Sequence, residues 1–300
     1  MKFNLDEEVI DGHLVTAETK KLWAVEMDLA THLLEVCNKY NLKIWATGGT
    51  LLGAVRHKGF IPWDDDMDFC MMRDDYNKLV EIGPKEFKDP YFFQSIYTDN
   101  LGGGLVKLRN SNTTMLENGY WNYKERNLGC AIDIFVMDAI PIEKPSFQKE
   151  YKTIRFLRRI VNNYKLLNTA KQSFRTKISN ICISCFFQLV NVNKVQASIV
   201  KRLSSNSIKN YDYCGLLDYY AAKGVEIPRM KLRNKHYYDE TVMLPFHDMQ
   251  VPVPKGYDSL LKDLFGDYMK PVKGGQEHTI IKVDCNRSYK EVLAELRNKK

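Results

Sequence analysis

Several features are missing from this 300-residue chain, and each absence removes a class of function. No stretch reaches the roughly 18 uncharged apolar residues that a membrane span requires. Met1 to Thr16 carries acidic side chains and no apolar run of signal-peptide length. Together these point to a cytoplasmic protein. The cysteines number seven, an odd and scattered set that suits a reducing compartment better than a disulfide framework. Cys182 and Cys185 form a CxxC with no second Cys or His pair at metal-ligand spacing, which favours buried small side chains there over zinc. No internal repeat and no low-complexity segment is present. Acid is missing from one long region. From Tyr151 to Tyr211 there are twelve Lys or Arg and no Asp or Glu, so the remainder of a chain of net charge +7 is acidic by five. A block so one-sided is a candidate surface for anionic lipid, phosphoglycan or nucleic acid.

With 44% hydrophobic residues the chain can bury a sizeable core, as one large domain or two modest ones. Residues 16 to 40 read as a helix, with Thr16 as N-cap and Leu22, Val25, Leu29, Leu33 and Val36 on one stripe. Lys43 to Thr47 is a short strand broken by Gly48 and Gly49, followed by a brief helix from Thr50 to Arg56 and a loop from His57 to Trp63. Met67 to Met71 is a second strand, with a helix from Asp74 to Ile82 after it. Tyr91 to Arg109 reads as a hairpin turned around Gly102 to Gly104, and Ala131 to Met137 as a third strand. Beyond Pro145 the pattern becomes long and helical, over Phe147 to Asn168 and Ser173 to Leu203. The C-terminal third returns to shorter elements: strands around Tyr237 to Pro254 and helices over Asp258 to Phe265 and Ser288 to Lys299. The organisation expected is a catalytic core over 1–145, a helical basic insertion or subdomain over 146–235, and a part that returns to the core over 236–300. The fold class is α/β (α+β), a small mixed sheet flanked by helices.

The most informative stretch is Trp45 to Phe69, WATGGTLLGAVRHKGFIPWDDDMDF. On an extended backbone Asp64, Asp66 and Asp68 fall on one face, with Asp65, Met67 and Phe69 on the other. Three like charges on a face repel, and oxygen ligands held close on a rigid strand are the hard set that Mg²⁺ or Mn²⁺ prefers. Asp133 sits inside the apolar run AIDIFVM, where an unpaired charge is expensive to bury unless it faces a cation. Divalent ions on donor phosphates neutralise developing charge and align the attacking and leaving oxygens, so no covalent nucleophile is needed. Gly48 and Gly49, between a strand and a helix, let the backbone approach a phosphate closely.

This combination resembles the nucleotidyltransferase superfold, and GGTLLGAVRHKGFIPWDDDMDF is similar to the motif of the LicD family in particular. The resemblance continues in IDIFVMD at Ile132 to Asp138 and in YDSLLKDLFGDYMKPV at Tyr257 to Val272. It implies a phosphorylcholine transferase or relative, with fukutin-like proteins as distant kin, that decorates lipopolysaccharide, teichoic acid or capsule. On this resemblance Asp66, Asp68 and Asp133 are the catalytic, metal-binding carboxylates. Gly48, Gly49 and Thr50 form the donor phosphate loop, and Arg56 is the basic residue ahead of the acidic cluster. The reaction implied is attack of a glycan hydroxyl on the β-phosphorus of a CDP-linked donor such as CDP-choline, with release of CMP.

Lys107 and Arg109, two apart on a strand, share a face and are further candidates for the donor diphosphate. Asp138, just ahead of Ala139 and Pro141, reads as the start of a turn. His278 after Gly274-Gly275 and Tyr268 in GDYM read as structural. A glycosyltransferase with its own Asp-x-Asp needs a Rossmann-like run ahead of that motif, and only one helix and one strand precede it. A nucleic-acid enzyme is the other rival. The basic block lacks interleaved Arg and aromatic residues, so no nucleic-acid partner is expected. It suits instead a peripheral contact with an anionic membrane face that carries a lipid-linked glycan acceptor.

Overall fold

The structure, a computed structural model, describes residues 3–99, 104–117, 126–165, 185, 191–272 and 280–298. Outside them lie Gly102 and Gly103 of the expected hairpin turn, Lys171, Arg175 and Lys177 of the basic block, most of the apolar run 178–190 with Cys182, and His278 with Gly274-Gly275.

The chain opens with a small ribbon, β1 (Glu8–Ile10) and β2 (His13–Val15), and then helix α1 (Ala17–Lys39). Thr16 caps α1 as its pattern predicts, its hydroxyl accepting from the Thr19 N–H at 3.2 Å. There follow β3 (Trp45–Ala46), α2 (Gly48–Arg56), β4 (Asp68–Met72), α3 (Arg73–Glu86), β5 (Tyr91–Gln94), β6 (Leu105–Asn110), β7 (Thr114–Glu117) and the ten-residue β8 (Cys130–Ala139). Next come α4 (Phe147–Lys165), α5 (Val192–Leu203), β9 (Tyr213–Gly215), α6 (Leu217–Lys223) and β10 (Arg233–Asn234). The chain ends with the hairpin β11 (Thr241–Phe246) and β12 (Met249–Pro254), α7 (Tyr257–Phe265), β13 (Ile280–Asp284) and α8 (Tyr289–Asn298).

The sheet is mixed and centred on β8. On one side β8 pairs in parallel with β4, which pairs antiparallel with β3. On the other, β6 pairs with the first half of β8 and β9 with its last residues. The core is continuous beneath it: Trp23, Leu29, Ala30 and Leu33 of α1 join Phe69, Cys70 and Met71 of β4 and Ile132, Ile134 and Val136 of β8. Each large apolar side chain so buried contributes about 1.5–3 kcal/mol. A second cluster holds Phe147, Tyr151 and Ile154 of α4 with Val195, Ile199 and Leu203 of α5 and Leu217 of α6.

Two readings of the sequence are corrected here. Asp138 starts no turn: it is buried in β8 and takes a two-pronged ion pair from Arg73, with both contacts at 2.7 Å. Parallel pairing sets Met72 beside Met137, so the first residue of α3 arrives next to Asp138. The basic block is also less solvent-facing than its composition suggests. Arg158 is fully buried, held by Asp218 at 2.5 and 2.6 Å and by Gln196, and Arg155 donates to the Gly224 carbonyl at 2.8 Å. The partners Asp218 and Gly224 come from beyond Tyr211, where a count of local charge cannot find them. Lys152, Arg159, Lys194, Lys201, Arg202 and Lys209 are exposed, and so is Cys185, against the expectation of burial.

Candidate functional site

Register builds the centre of the site. Across three adjacent strands Lys107 of β6 faces Asp133 of β8, and Asp133 faces Asp68 of β4. Directly opposed residues share a face, so this row crosses the sheet at the strand spacing of roughly 4.8 Å. The row extends to the Gly48-Gly49 turn, because the Thr47 N–H donates to the Asp68 carbonyl at 3.0 Å. Lys107 Nζ lies 2.9 Å from Asp133 Oδ1 and 3.6 Å from Glu117 Oε1. Burial works against its charge, yet Asp133 and Glu117 hold its pKa above the ordinary lysine value.

The turn between β3 and α2 is shaped around the carboxylates. Gly48 has φ +57°, a left-handed conformation, and a Cβ there would stand 3.2 Å from Asp68 Oδ2. At Gly49 the space a Cβ needs is filled, since its position is 2.1 Å from Asp64 Oδ2. The Thr50 hydroxyl accepts from the Asp68 N–H at 2.7 Å and ties α2 to the acidic strand. Thr47 makes no side-chain cap to α2; its hydroxyl accepts instead from the buried Arg233 at 3.1 Å.

The acidic cluster differs from the alternation expected. The strand begins only at Asp68, after a turn in which the Asp64 N–H donates to the Ile61 carbonyl at 2.9 Å. With no pleat to separate them, Asp64, Asp65 and Asp66 each offer an oxygen within 4.8 Å of the others, a spacing that can hold a metal ion. Asp65 therefore joins the cluster instead of facing away. Burial and then the charge of Asp66 push the Asp64 carboxyl up to about 8. Burial, Asp66 and Asp133 push Asp68 well above the carboxylate range. An all-oxygen donor set whose like charges are crowded this closely suits a hard cation.

Two of the expected basic residues are not brought to the carboxylates. Arg56 closes the last turn of α2, about 12 Å along the helix from Gly48 at 1.5 Å per residue. Its Nη1 donates to the Tyr268 carbonyl at 2.8 Å, joining α2 to the GDYM segment. Arg109 shares the strand face with Lys107 but is buried, donating to Gln94 Oε1 and the Gly129 carbonyl, each at 2.5 Å. Gln94 lies on β5, the strand paired with β6, so Arg109 is claimed by its own sheet neighbour.

Two residues near the site come from α1 and carry no motif. Trp23 Nε1 donates to the Asp64 carbonyl at 2.9 Å and grips the acidic turn. Glu26, one helical turn on and on the same face, is fully buried, and neither of its carboxylate oxygens has a hydrogen-bond partner. The only sequence signal was an acid at a helical position otherwise filled by the core.

The family model described as "LicD/FKTN/FKRP, nucleotidyltransferase domain" matches residues 41–156, which span the glycine turn, the acidic cluster, Lys107 and Asp133. The chain is similar to the lipopolysaccharide cholinephosphotransferase LicD of Haemophilus influenzae, at 28% identity over 258 residues, 81% of this chain and 88% of that protein. It is also similar to the ribitol 5-phosphate transferase FKRP of Homo sapiens, at 26% identity over 103 residues, 33% of this chain and 20% of that protein.

Proposed function

The chain carries a nucleotidyltransferase domain of the LicD family, and on that premise we propose that it is a divalent-cation-dependent transferase that moves a phospho-alcohol group from a CDP-linked donor to a glycan hydroxyl. The observation that carries the reading is the row Lys107, Asp133, Asp68 and the Gly48-Gly49 turn, with Asp64 to Asp66 beside it. Relatives named as a cholinephosphotransferase and a ribitol 5-phosphate transferase share a reaction class, the transfer of a phosphorylated alcohol, and the same class is proposed here.

In this reaction a new bond forms between the acceptor oxygen and the β-phosphorus of the donor, and the bond from that phosphorus to the bridging oxygen breaks. The products are a phosphodiester on the glycan, CMP and the proton of the hydroxyl. A Mg²⁺ or Mn²⁺ ion, held by Asp66, Asp68 and Asp133 with Asp64 and Asp65 beside them, would supply charge neutralisation at the phosphates. The chain's own groups do the positioning. The Gly48-Gly49 turn carries no side chain of its own against the acids, and α2 directs its first N–H groups outward from it, a ready anion site. Lys107 anchors Asp133 and sets a half-buried positive charge two strands from Asp68. Arg233 and Thr50 fix the turn from behind through Thr47 and the Asp68 N–H.

The test is CMP release from a panel of CDP-alcohols, CDP-choline and CDP-ribitol among them, with a glycan acceptor present. One CDP-alcohol should yield CMP in Mg²⁺ or Mn²⁺ and none in EDTA. Equal release in EDTA, or turnover of nucleotide-sugars alone, would overturn the reading.

A further inference from the structure

Glu26 has no assigned part in the function, and its surroundings are hard to reconcile with a merely structural acid. It is fully buried on α1, outside the stretch 41–156 that the family model matches. Both of its oxygens lack a hydrogen-bond partner and, among the described residues, no cation pairs with it. Lys20, six residues earlier on α1, pairs with Glu8 at 2.9 Å, and Lys107 of the site pairs with Asp133. Burying a carboxyl with no partner costs several kcal/mol. The helix tolerates that cost because Trp23, Leu29 and Leu33 beside it are each buried at about 1.5–3 kcal/mol.

The direction in which Glu26 acts follows from its neighbours. Trp23, three residues before it on the same helix face, holds the Asp64 carbonyl, so this face of α1 is seated on the acidic turn. Burial first, and then the charges of Asp66, Cys130, Asp65 and Asp64, hold the Glu26 carboxyl well above the ordinary range. A fourth acid beneath three others makes the apo fold worse. Its presence is explained if the charge that balances all four arrives with a ligand.

We propose that Glu26 is a positioning carboxylate of the divalent-cation site, which releases its proton to solvent as the ion binds and then raises the affinity of the Asp64–Asp66 cluster for the ion from the α1 side. The inference rests on the reading of the site as cation-dependent, and it adds a residue from outside the motif. Divalent-ion affinity rises with the charge count around the site, and one further carboxylate is expected to contribute about 10–100-fold.

The experiment is Mn²⁺ titration of the full chain, followed by calorimetry and by the EPR signal of free Mn²⁺, with no nucleotide present. Glu26→Gln keeps the shape and removes the charge, and Glu26→Leu fills the same space with carbon. Both variants should lose about 10–100-fold in Mn²⁺ affinity while melting in EDTA at or above the wild-type temperature. Wild-type affinity in Glu26→Gln, with wild-type binding intact, overturns the role of Glu26 alone. No Mn²⁺ binding by the wild type overturns both this inference and the cation-dependent reading. Unfolding of both variants in EDTA also overturns it, since the acid would then be holding the fold and not the ion.

Discussion

Asp68→Asn is expected to abolish transfer, by about 10³-fold or more in kcat/KM, while leaving the protein in EDTA as stable as the wild type or more so. Both halves come from one fact: Asp68 is a half-buried carboxyl whose neighbours in the row and the cluster are Asp133, Asp66 and Asp64. Without a cation these charges repel, and removing one relieves the apo fold, by an amount that adds about 2–4 °C to Tm for each kcal/mol relieved. With a cation the same charge belongs to the donor set, and its loss removes the chemistry. The backbone bond from Asp68 N–H to Thr50 survives the substitution, so the strand keeps its place. Melting in EDTA and steady-state CMP release check the two halves separately. A variant that melts well below the wild type, or that keeps near-normal turnover, would contradict the assignment.

Gly49→Val is expected to cost at least about 100-fold in kcat/KM, most of it as a rise in donor KM, with an ordinary circular dichroism spectrum. The reason is local. A Cβ at Gly49 would sit 2.1 Å from Asp64 Oδ2, closer than any contact side chains make, so the carboxylate must swing out of the cluster. The displaced acid and the added bulk both obstruct phosphate approach to the first N–H groups of α2. Gly49→Ala should show the same defect in weaker form, because the methyl alone already meets Asp64. An unaltered donor KM in the valine variant would place the nucleotide away from this turn.

Much of this site was legible in the sequence, and the illegible parts have specific causes. Helix α1 was bounded to within a residue at each end because a cap and an apolar stripe are local signals. The strands with Asp68 and Asp133 were legible from their apolar runs, but their parallel pairing, which aligns the two acids, depends on chain more than sixty residues apart. Asp65 does not alternate with its neighbours because the strand starts only at Asp68, and the acids before it converge on a turn instead. Lys107 and Arg109 do share a strand face, as spacing implies, yet pairing with β5 gives Arg109 to Gln94 and leaves Lys107 to Asp133. Burial of Arg158 was invisible for the same reason, since Asp218 comes from a different helix. Strand β7 and its partner β13 were not foreseen at all: the two pair across a separation of more than 160 residues, and neither carries a strong alternating pattern. Glu26 was hidden in plain composition, a single acid within an apolar helix face.

A divalent cation is expected where the acidic turn meets the row of Asp68 and Asp133. The most direct measurement is anomalous diffraction from a crystal soaked in Mn²⁺. A manganese peak is expected in contact with carboxylate oxygens of Asp66 and Asp68. Saturating Mn²⁺ with no peak in this cluster, or a peak only on surface acids elsewhere, would contradict it.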